Sequence, residues 1–399
     1  MSMRMAAQAA MDGKAKPPGS LGTLESWGVQ LTVLQGTLRP EVTRGALLVF
    51  AADHGVTEEG VSPYPSDVTK AIYGALAAGK AAGTVLARSA GVQVALVDVG
   101  VRGDVSDASG PVRATLRKVR EGTANMMHEP AMSPEDLARA MAAGREAAAR
   151  HVHSQEAFVD LPPRTAAEDP YCPSHDPEGP RPASPGDPDL DPDPSPSPGG
   201  DPDHSSGDPD LSLGDPDLSV GDLKRALGDP EASAGARGPP AGRGPRGRGL
   251  VIMLGEVGIG NTTAAAAVLS ALTGAPPLDT CGRGTGLDDE GVARKVRVVE
   301  RALSRHKDVV DGGDPEAVLA ALGGLEMAAM AGAVLKAWEE RIPVLVDGFI
   351  VAVAALAACR IQPAATACLF LATRSAEKGF NIAAKALADA AVEAEAAER

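Results

Sequence analysis

Residues 250–268, LVIMLGEVGIGNTTAAAAV, admit few local structures. The apolar run at 250–254 has the pattern of a buried strand. It ends in Gly255 and Glu256 and gives way to a turn with glycine at 258 and 260. Asn261, Thr262 and Thr263 follow, and then a run of alanines that reads as a helix. A strand, tight turn and helix start in this order bring unpaired backbone N–H groups to the positive end of a helix dipole, which makes an anion site. Glycine lets the backbone approach a phosphate closely, and Asn or Thr at a helix start can cap it or bind phosphate oxygens.

Other short apolar runs repeat the strand pattern at 45–52 (GALLVFAA), 92–99 (VQVALVDV), 343–346 and 367–371. Polar groups or glycines follow each of them: Asp53-His54-Gly55, Gly100, Asp347-Gly348 and Ser375-Ala376-Glu377. Helical segments lie between. Strands alternating with helices predict an α/β fold, a doubly wound parallel sheet with helices on both faces. In such sheets ligands bind along the carboxyl edge of the strands. Residues 66–90 read as a single helix with glycine interruptions. Ser133 followed by Pro134 reads as a helix start running to about His153, and Ser20 as the N-cap of an early helix. Asp288, Asp289 and Glu290 read as the first turn of another helix, with Lys295 two turns along on the same face.

Residues 161–249 break the pattern. They are rich in Pro, Gly, Asp and Ser and carry a seven-residue repeat, as in 207–213 (GDPDLSL) and 214–220 (GDPDLSV). Proline in most units excludes a heptad coiled coil. The stretch reads as a disordered insertion with an acidic body and a basic end at Arg237, Arg243, Arg246 and Arg248, placed inside a domain.

The formal net charge of −15 argues against general nucleic-acid binding. No uncharged apolar stretch is long enough to span a membrane. Cys172, Cys281, Cys359 and Cys368 show no C-x-x-C pairing and read as free thiols. The N-terminus lacks a signal-peptide apolar region, so a cytoplasmic location is expected, with an organellar leader left open. The turn at 258–263 has no Gly-Lys-Ser/Thr sequence, which argues against a P-loop hydrolase. GEVGIGN lacks the G-x-G-x-x-G spacing of dinucleotide dehydrogenases.

Seven motifs together carry a resemblance: KPPGSLG (16–22), ADHGV (52–56), GVSPYPSDVT (60–69), GEVGIGNTT (255–263), GRGTGLDDEGVARK (282–295), PVLVDGFI (343–350) and SAEKG (375–379). In kind and order they resemble the nicotinate-nucleotide–dimethylbenzimidazole phosphoribosyltransferases. The resemblance implies transfer of a 5-phosphoribosyl group from nicotinate mononucleotide to 5,6-dimethylbenzimidazole, with the anomeric carbon inverting from β to α. The products would be α-ribazole 5'-phosphate and nicotinate, as used for the lower ligand of cobalamin. It implies no metal or organic cofactor, a homodimer, and a smaller helical subdomain from the chain ends. The domain reading is 1–42 for the N-terminal helical part, 43–160 and 250–399 for the two parts of the α/β domain, the latter with the C-terminal helical part, and 161–249 for the insertion.

The resemblance also distributes roles. Phosphate and nucleotide binding falls to Gly258, Ile259, Gly260, Asn261, Thr262, Thr263, Lys295, Asp347 and Ser375. Base binding falls to Asp53, His54, Tyr64 and Pro65. The family continues past SAEKG to a segment of the type RLGEGTGAAL, whose glutamate is the general base. The sequence here ends at Arg399 without that pattern, and Glu393, Glu395 and Glu398 lack the flanking glycines. Loss of a positioned base lowers a rate roughly a hundred- to ten-thousand-fold. Weakened turnover is therefore expected, with Glu256 as a substitute base. The alternative is a non-catalytic binder of a nucleotide or a benzimidazole-like ligand derived from that enzyme.

Overall fold

The computed structural model describes residues 2–106, 108–153 and 249–397. The reading of 161–249 as a disordered repeat lies outside the described residues, apart from Gly249.

Helix α1 (Met3–Asp12) starts where the Ser2 side chain accepts the Met5 N–H, and it packs on α2 (Thr23–Gln35). Ser20 is not the cap of α2. That helix begins at Thr23, after Gly22 at φ 55°, and Glu25 in its first turn takes the Leu21 N–H and pairs with Lys16 at 2.7 Å. Next come β1 (Val42–Ala52), α3 (Asp67–Ala77), α4 (Ala82–Ser89), β2 (Gln93–Gly100), β3 (Arg113–Leu116) and α5 (Pro134–His153). The single helix expected over 66–90 is two, because the chain leaves α3 through Gly79 at φ 68°. The start of α5 is reciprocal: Ser133 Oγ accepts the Asp136 N–H, and Asp136 accepts the Ser133 N–H.

After the insertion the elements are β4 (Gly249–Val257), α6 (Asn261–Thr273), α7 (Pro277–Thr280), α8 (Asp289–Arg305), α9 (Lys307–Gly312), α10 (Pro315–Leu322) and α11 (Leu325–Glu339). The chain continues through β5 (Val344–Val346), α12 (Phe349–Ile361), β6 (Leu369–Leu371) and α13 (Phe380–Ala397). The Asp288 side chain caps α8 by accepting the Gly291 N–H at 2.8 Å.

The six strands form one parallel sheet in the order β3-β2-β1-β4-β5-β6. The expected doubly wound α/β architecture is therefore present. β3 goes beyond the strands expected; its four residues, RATL, are mostly exposed and lie at the sheet edge. The opposite edge is covered. Gln30 of α2 donates to the carbonyls of Ala367 and Leu369, and Trp27 stacks edge-on against Phe370 with centroids 5.7 Å apart. These contacts satisfy carbonyls that an open edge would leave free.

Strand β1 shows why the sheet is covered on both faces. Ala46, Leu48, Phe50 and Ala52 join one apolar core with β4 and helices α5, α6, α11 and α12. Val49 and Ala51 join a second core with Tyr73 and Leu76 of α3. Alternate residues of a strand face opposite sides, so an unbroken apolar run needs two cores. Alanine and glycine let the helices come close. A Cβ on Gly144 of α5 would lie 1.7 Å from the Ala329 carbonyl oxygen of α11, and one on Gly332 would lie 2.1 Å from that of Met141.

β1 and β4 are the central pair, and from them the order runs outward in opposite directions. The crevice beyond their carboxyl ends is the topological switch point, where open α/β sheets bind ligands. β4 begins with Gly249 at the opposite, amino edge of the sheet.

Two glycine replacements should move stability in opposite directions. Gly144→Ala must push α5 off α11 and should destabilise by about 1–3 kcal/mol. Gly74→Ala in α3 meets nothing within 4 Å and should stabilise by about 0.5–1 kcal/mol. Urea unfolding of both variants checks this; equal effects would show that the interhelix contact is not tight.

Candidate functional site

The strand-to-helix turn after β4 has the expected form. Gly260 sits at φ 93° ahead of α6, and no side chain caps the helix start. The close approach at Gly258 requires glycine, because a Cβ there would lie 2.4 Å from the Ala52 carbonyl oxygen. The Ile259 N–H donates to Thr69 Oγ1 at 3.1 Å, tying the turn to α3. Thr263 is buried, with its hydroxyl lacking a protein partner.

Lys295 reaches this turn from α8. It is only 1% exposed, and its Nζ donates to Thr262 Oγ1 at 2.8 Å and to the Gly282 carbonyl at 3.3 Å. No carboxylate among the described residues lies within salt-bridge distance of it. Burial pulls its pKa down, opposed by Cys281 and Glu377. Gly284, at φ 54°, leaves room beside the lysine's partner: a Cβ there would press on Thr262 Oγ1 at 3.2 Å. A buried ammonium beside a helix N-terminus places two positive fields together, and an anionic group is what both favour.

Glu256, at the end of β4, is half-buried and accepts a hydrogen bond from the Asn261 amide. Desolvation raises its pKa to about 7, with Glu326 adding to the rise and His54 and Asn261 opposing it. That value suits a group that takes and returns protons near neutrality.

Asp53 and His54, expected at the base, are both buried. Asp53 Oδ1 accepts from Ser66 Oγ at 2.5 Å and Oδ2 from the Arg102 N–H at 2.8 Å, so its carboxylate binds two loops to the end of β1. His54 Nε2–H donates to Glu326 Oε1 at 2.9 Å. Burial works to lower the His54 pKa, but Glu326, Asp53 and Glu256 outweigh it and the net direction is upward. Tyr64 and Pro65 are exposed, Tyr64 to 48%, on the loop that Ser66 and Thr69 anchor to the ends of β1 and β4. Asp347 follows β5 and accepts from Thr373; Ser375 follows β6, and its Oγ accepts the Glu377 N–H at 3.2 Å. That turn brings Glu377 against Gly282, where a Cβ would meet its carboxylate at 2.1 Å.

The turn residues, Lys295, Glu256 and His54 are thus brought together, whereas Asp347 and Ser375 stand after the neighbouring strands. Glu326 and Glu377 are additions that sequence reasoning missed. Glu326 had a signal: it is the lone charge in the apolar opening of α11, LEMAAMAGAVL, directly after two glycines. Among the described residues no group of three or more His, Cys, Asp or Glu side chains is placed to hold a metal ion. No helix there is long and apolar enough to cross a membrane. Cys281, Cys359 and Cys368 are free and buried.

A family model described as a phosphoribosyltransferase matches residues 1–159 and 246–393, on both sides of the insertion. The nicotinate-nucleotide–dimethylbenzimidazole phosphoribosyltransferase of Chromobacterium violaceum is 37% identical over 388 residues, covering 97% of this chain and 84% of that protein. The enzyme of the same name from Cupriavidus necator is 36% identical over 362 residues, covering 91% of this chain and 76% of that protein. The crystal structure of CobT from Thermus thermophilus superposes with a TM-score of 0.69 at 32% identity, covering 100% of this chain and 94% of its own. Agreement in sequence and fold along nearly the whole chain means that it belongs to the nicotinate-nucleotide–dimethylbenzimidazole phosphoribosyltransferase family.

Proposed function

We propose that the protein transfers the 5-phosphoribosyl group of nicotinate mononucleotide to 5,6-dimethylbenzimidazole, forming α-ribazole 5'-phosphate and nicotinate. One observation carries this reading from the chain's own residues. At the switch point an uncapped helix start meets a buried lysine reaching in from α8, and the strand before that turn ends in a carboxyl group, Glu256, that burial raises to about 7. The first suits the phosphate of the donor and the second suits a proton released by the acceptor.

The chemistry balances with these groups. A ring nitrogen of the benzimidazole attacks the anomeric carbon of the ribose. The bond from that carbon to the pyridinium nitrogen breaks, and its electron pair neutralises the departing nicotinate ring. The N–H proton of the benzimidazole passes to Glu256. Lys295 and the 258–263 turn hold the phosphate, which fixes the anomeric carbon for in-line attack. Asp347 and Ser375 are assigned to the nucleotide and Tyr64 with Pro65 to the flat base, whose ring an exposed tyrosine can stack against.

The remaining assignments follow the same reading. Residues 1–42 and the C-terminal helical part form a smaller helical subdomain, and the protein works in the cytoplasm as a homodimer. The exposed apolar side chains Met5, Leu21 and Leu24 support a second copy, since association would cover them. A light-scattering mass of one chain would remove that part of the reading.

Purified protein given both substrates should yield α-ribazole 5'-phosphate by chromatography, and binding of the donor without any product would refute the reading. Glu256→Gln should lower kcat by roughly a hundred- to ten-thousand-fold and change the KM for nicotinate mononucleotide little. The base acts when deprotonated, so wild-type kcat should rise with pH through about 7 and level off above it. A profile flat across that range, or a fully active Glu256→Gln, would remove Glu256 from the role.

A further inference from the structure

The turn that follows β6 holds one carboxylate beside the phosphate cradle and gives it no cation. Ser375 Oγ accepts the Glu377 N–H at 3.2 Å, and the Glu377 carbonyl accepts the Phe380 N–H at 3.0 Å, so both of its main-chain groups are fixed. The turn is seated on the segment at the end of α7. A Cβ on Gly379 would lie 2.8 Å from the Thr280 carbonyl oxygen, and Lys378 donates to the Leu278 carbonyl at 2.8 Å. The half-buried Glu377 side chain lies on Gly282, where a Cβ would stand 2.1 Å from Oε2. Gly282 is also the residue whose carbonyl accepts from Lys295. A carboxylate and an ammonium thus flank one glycine without pairing. Lys295 donates to Thr262 and Gly282 instead, and Lys378 turns to Asp279 at 3.4 Å. Among the described residues Glu377 makes no ion pair, and its carboxylate accepts no hydrogen bond.

The loop that carries Gly282 also touches the phosphate turn, through Gly284 and Thr262. Thr262, the 282–284 loop and Glu377 therefore stand in a row. A phosphate held at Lys295 is repelled by the carboxylate, so the part of a ligand that reaches Glu377 must donate protons. On a phosphoribosyl group the only donors are the ring hydroxyls, one sugar ring away from the phosphate. An ionised carboxylate only accepts, and its two oxygens match a vicinal pair of hydroxyls. Dinucleotide-binding folds use the same division, with phosphate at a helix start and a ribose hydroxyl on a carboxylate. We propose that Glu377 accepts the 2- and 3-hydroxyls of the bound ribose 5-phosphate unit, so that the crevice selects ribose over 2-deoxyribose. This rests on phosphate binding at Lys295 and the α6 start, and not on Glu256 as base.

The test is calorimetric binding of ribose 5-phosphate and of 2-deoxyribose 5-phosphate, with inorganic phosphate as the control. Wild type should prefer the ribose compound by about ten- to a hundred-fold, the worth of one hydroxyl bound to a charged group. In Glu377→Ala the ratio should fall to about one, while inorganic phosphate binds no more weakly than before. Gly282→Ala displaces the carboxylate without removing it, so it should lower the ratio in wild type and change nothing further in Glu377→Ala. Equal binding of the two sugars by wild type overturns the proposal, as does a wild-type ratio in folded Glu377→Ala. Weaker inorganic phosphate in that variant also overturns it, because Glu377 would then act through the cradle. Failure of both single variants to fold would make Glu377 a fold element only. The binding assay needs no turnover. Discrimination controlled by Glu377 without any product would refute the transfer and keep this subsite; product formed with equal binding of the two sugars would do the reverse.

Discussion

The site depends on a positive charge kept away from water without a negative one beside it. Taking an ammonium such as Lys295 out of water costs several kcal/mol even after relaxation. Two neutral oxygens, Thr262 Oγ1 and the Gly282 carbonyl, return part of that. The N-terminus of α6 adds a second positive field at the same place. The fold holds this unfavourable arrangement because Val296, Val298 and Val299 bury α8 in the main core and carry Lys295 in with them. A phosphate at the turn would satisfy both fields together, and that is the ligand group the family's donor carries.

Glycine makes the arrangement geometrically possible. At Gly258, Gly284 and Gly324 a side chain would collide with, or crowd, the polar groups that define the site. The switch between β1 and β4 then brings two corners together, the Asp53-His54 corner and the phosphate turn. Asp53 serves as a brace: its two oxygens and its main chain fasten the loops at Ser66, Arg102 and Thr123 to one strand end. His54 and Glu326 lie under that joint. The phosphate turn, Glu256 and the Tyr64 loop are thereby tied to the ends of adjacent strands by a few hydrogen bonds, from Ser66 to Asp53, from the Ile259 N–H to Thr69 and from Asn261 to Glu256.

Much of this is legible in the sequence wherever the cause is local. The strand, turn and helix at 250–268 are set by consecutive residues, as are the Ser133 start of α5 and the apolar runs of β1 and β2. Signals fail where the cause is distant or weak. RATL in β3 is too short and polar to read as a strand, and it forms because β2 offers it an edge. The break between α3 and α4 turns on the left-handed conformation of Gly79, which a helical pattern tolerant of glycine passes over. Glu326 meets His54 across 272 residues of chain, so only the fold could reveal that the lone acid in an apolar helix has a partner. Likewise the burial of Asp53 and His54, which the motif alone presents as base contacts, follows from packing of the strand ends.

Binding of the donor's phosphate by Lys295 and the α6 N-terminus is tested most directly by a calorimetric cycle. Affinity is measured for nicotinate mononucleotide and for its dephosphorylated riboside, each with wild type and with Lys295→Met. The phosphate should be worth roughly ten- to a hundred-fold more in wild type than in the variant. Loss of the phosphate by the same factor in both proteins would contradict the account.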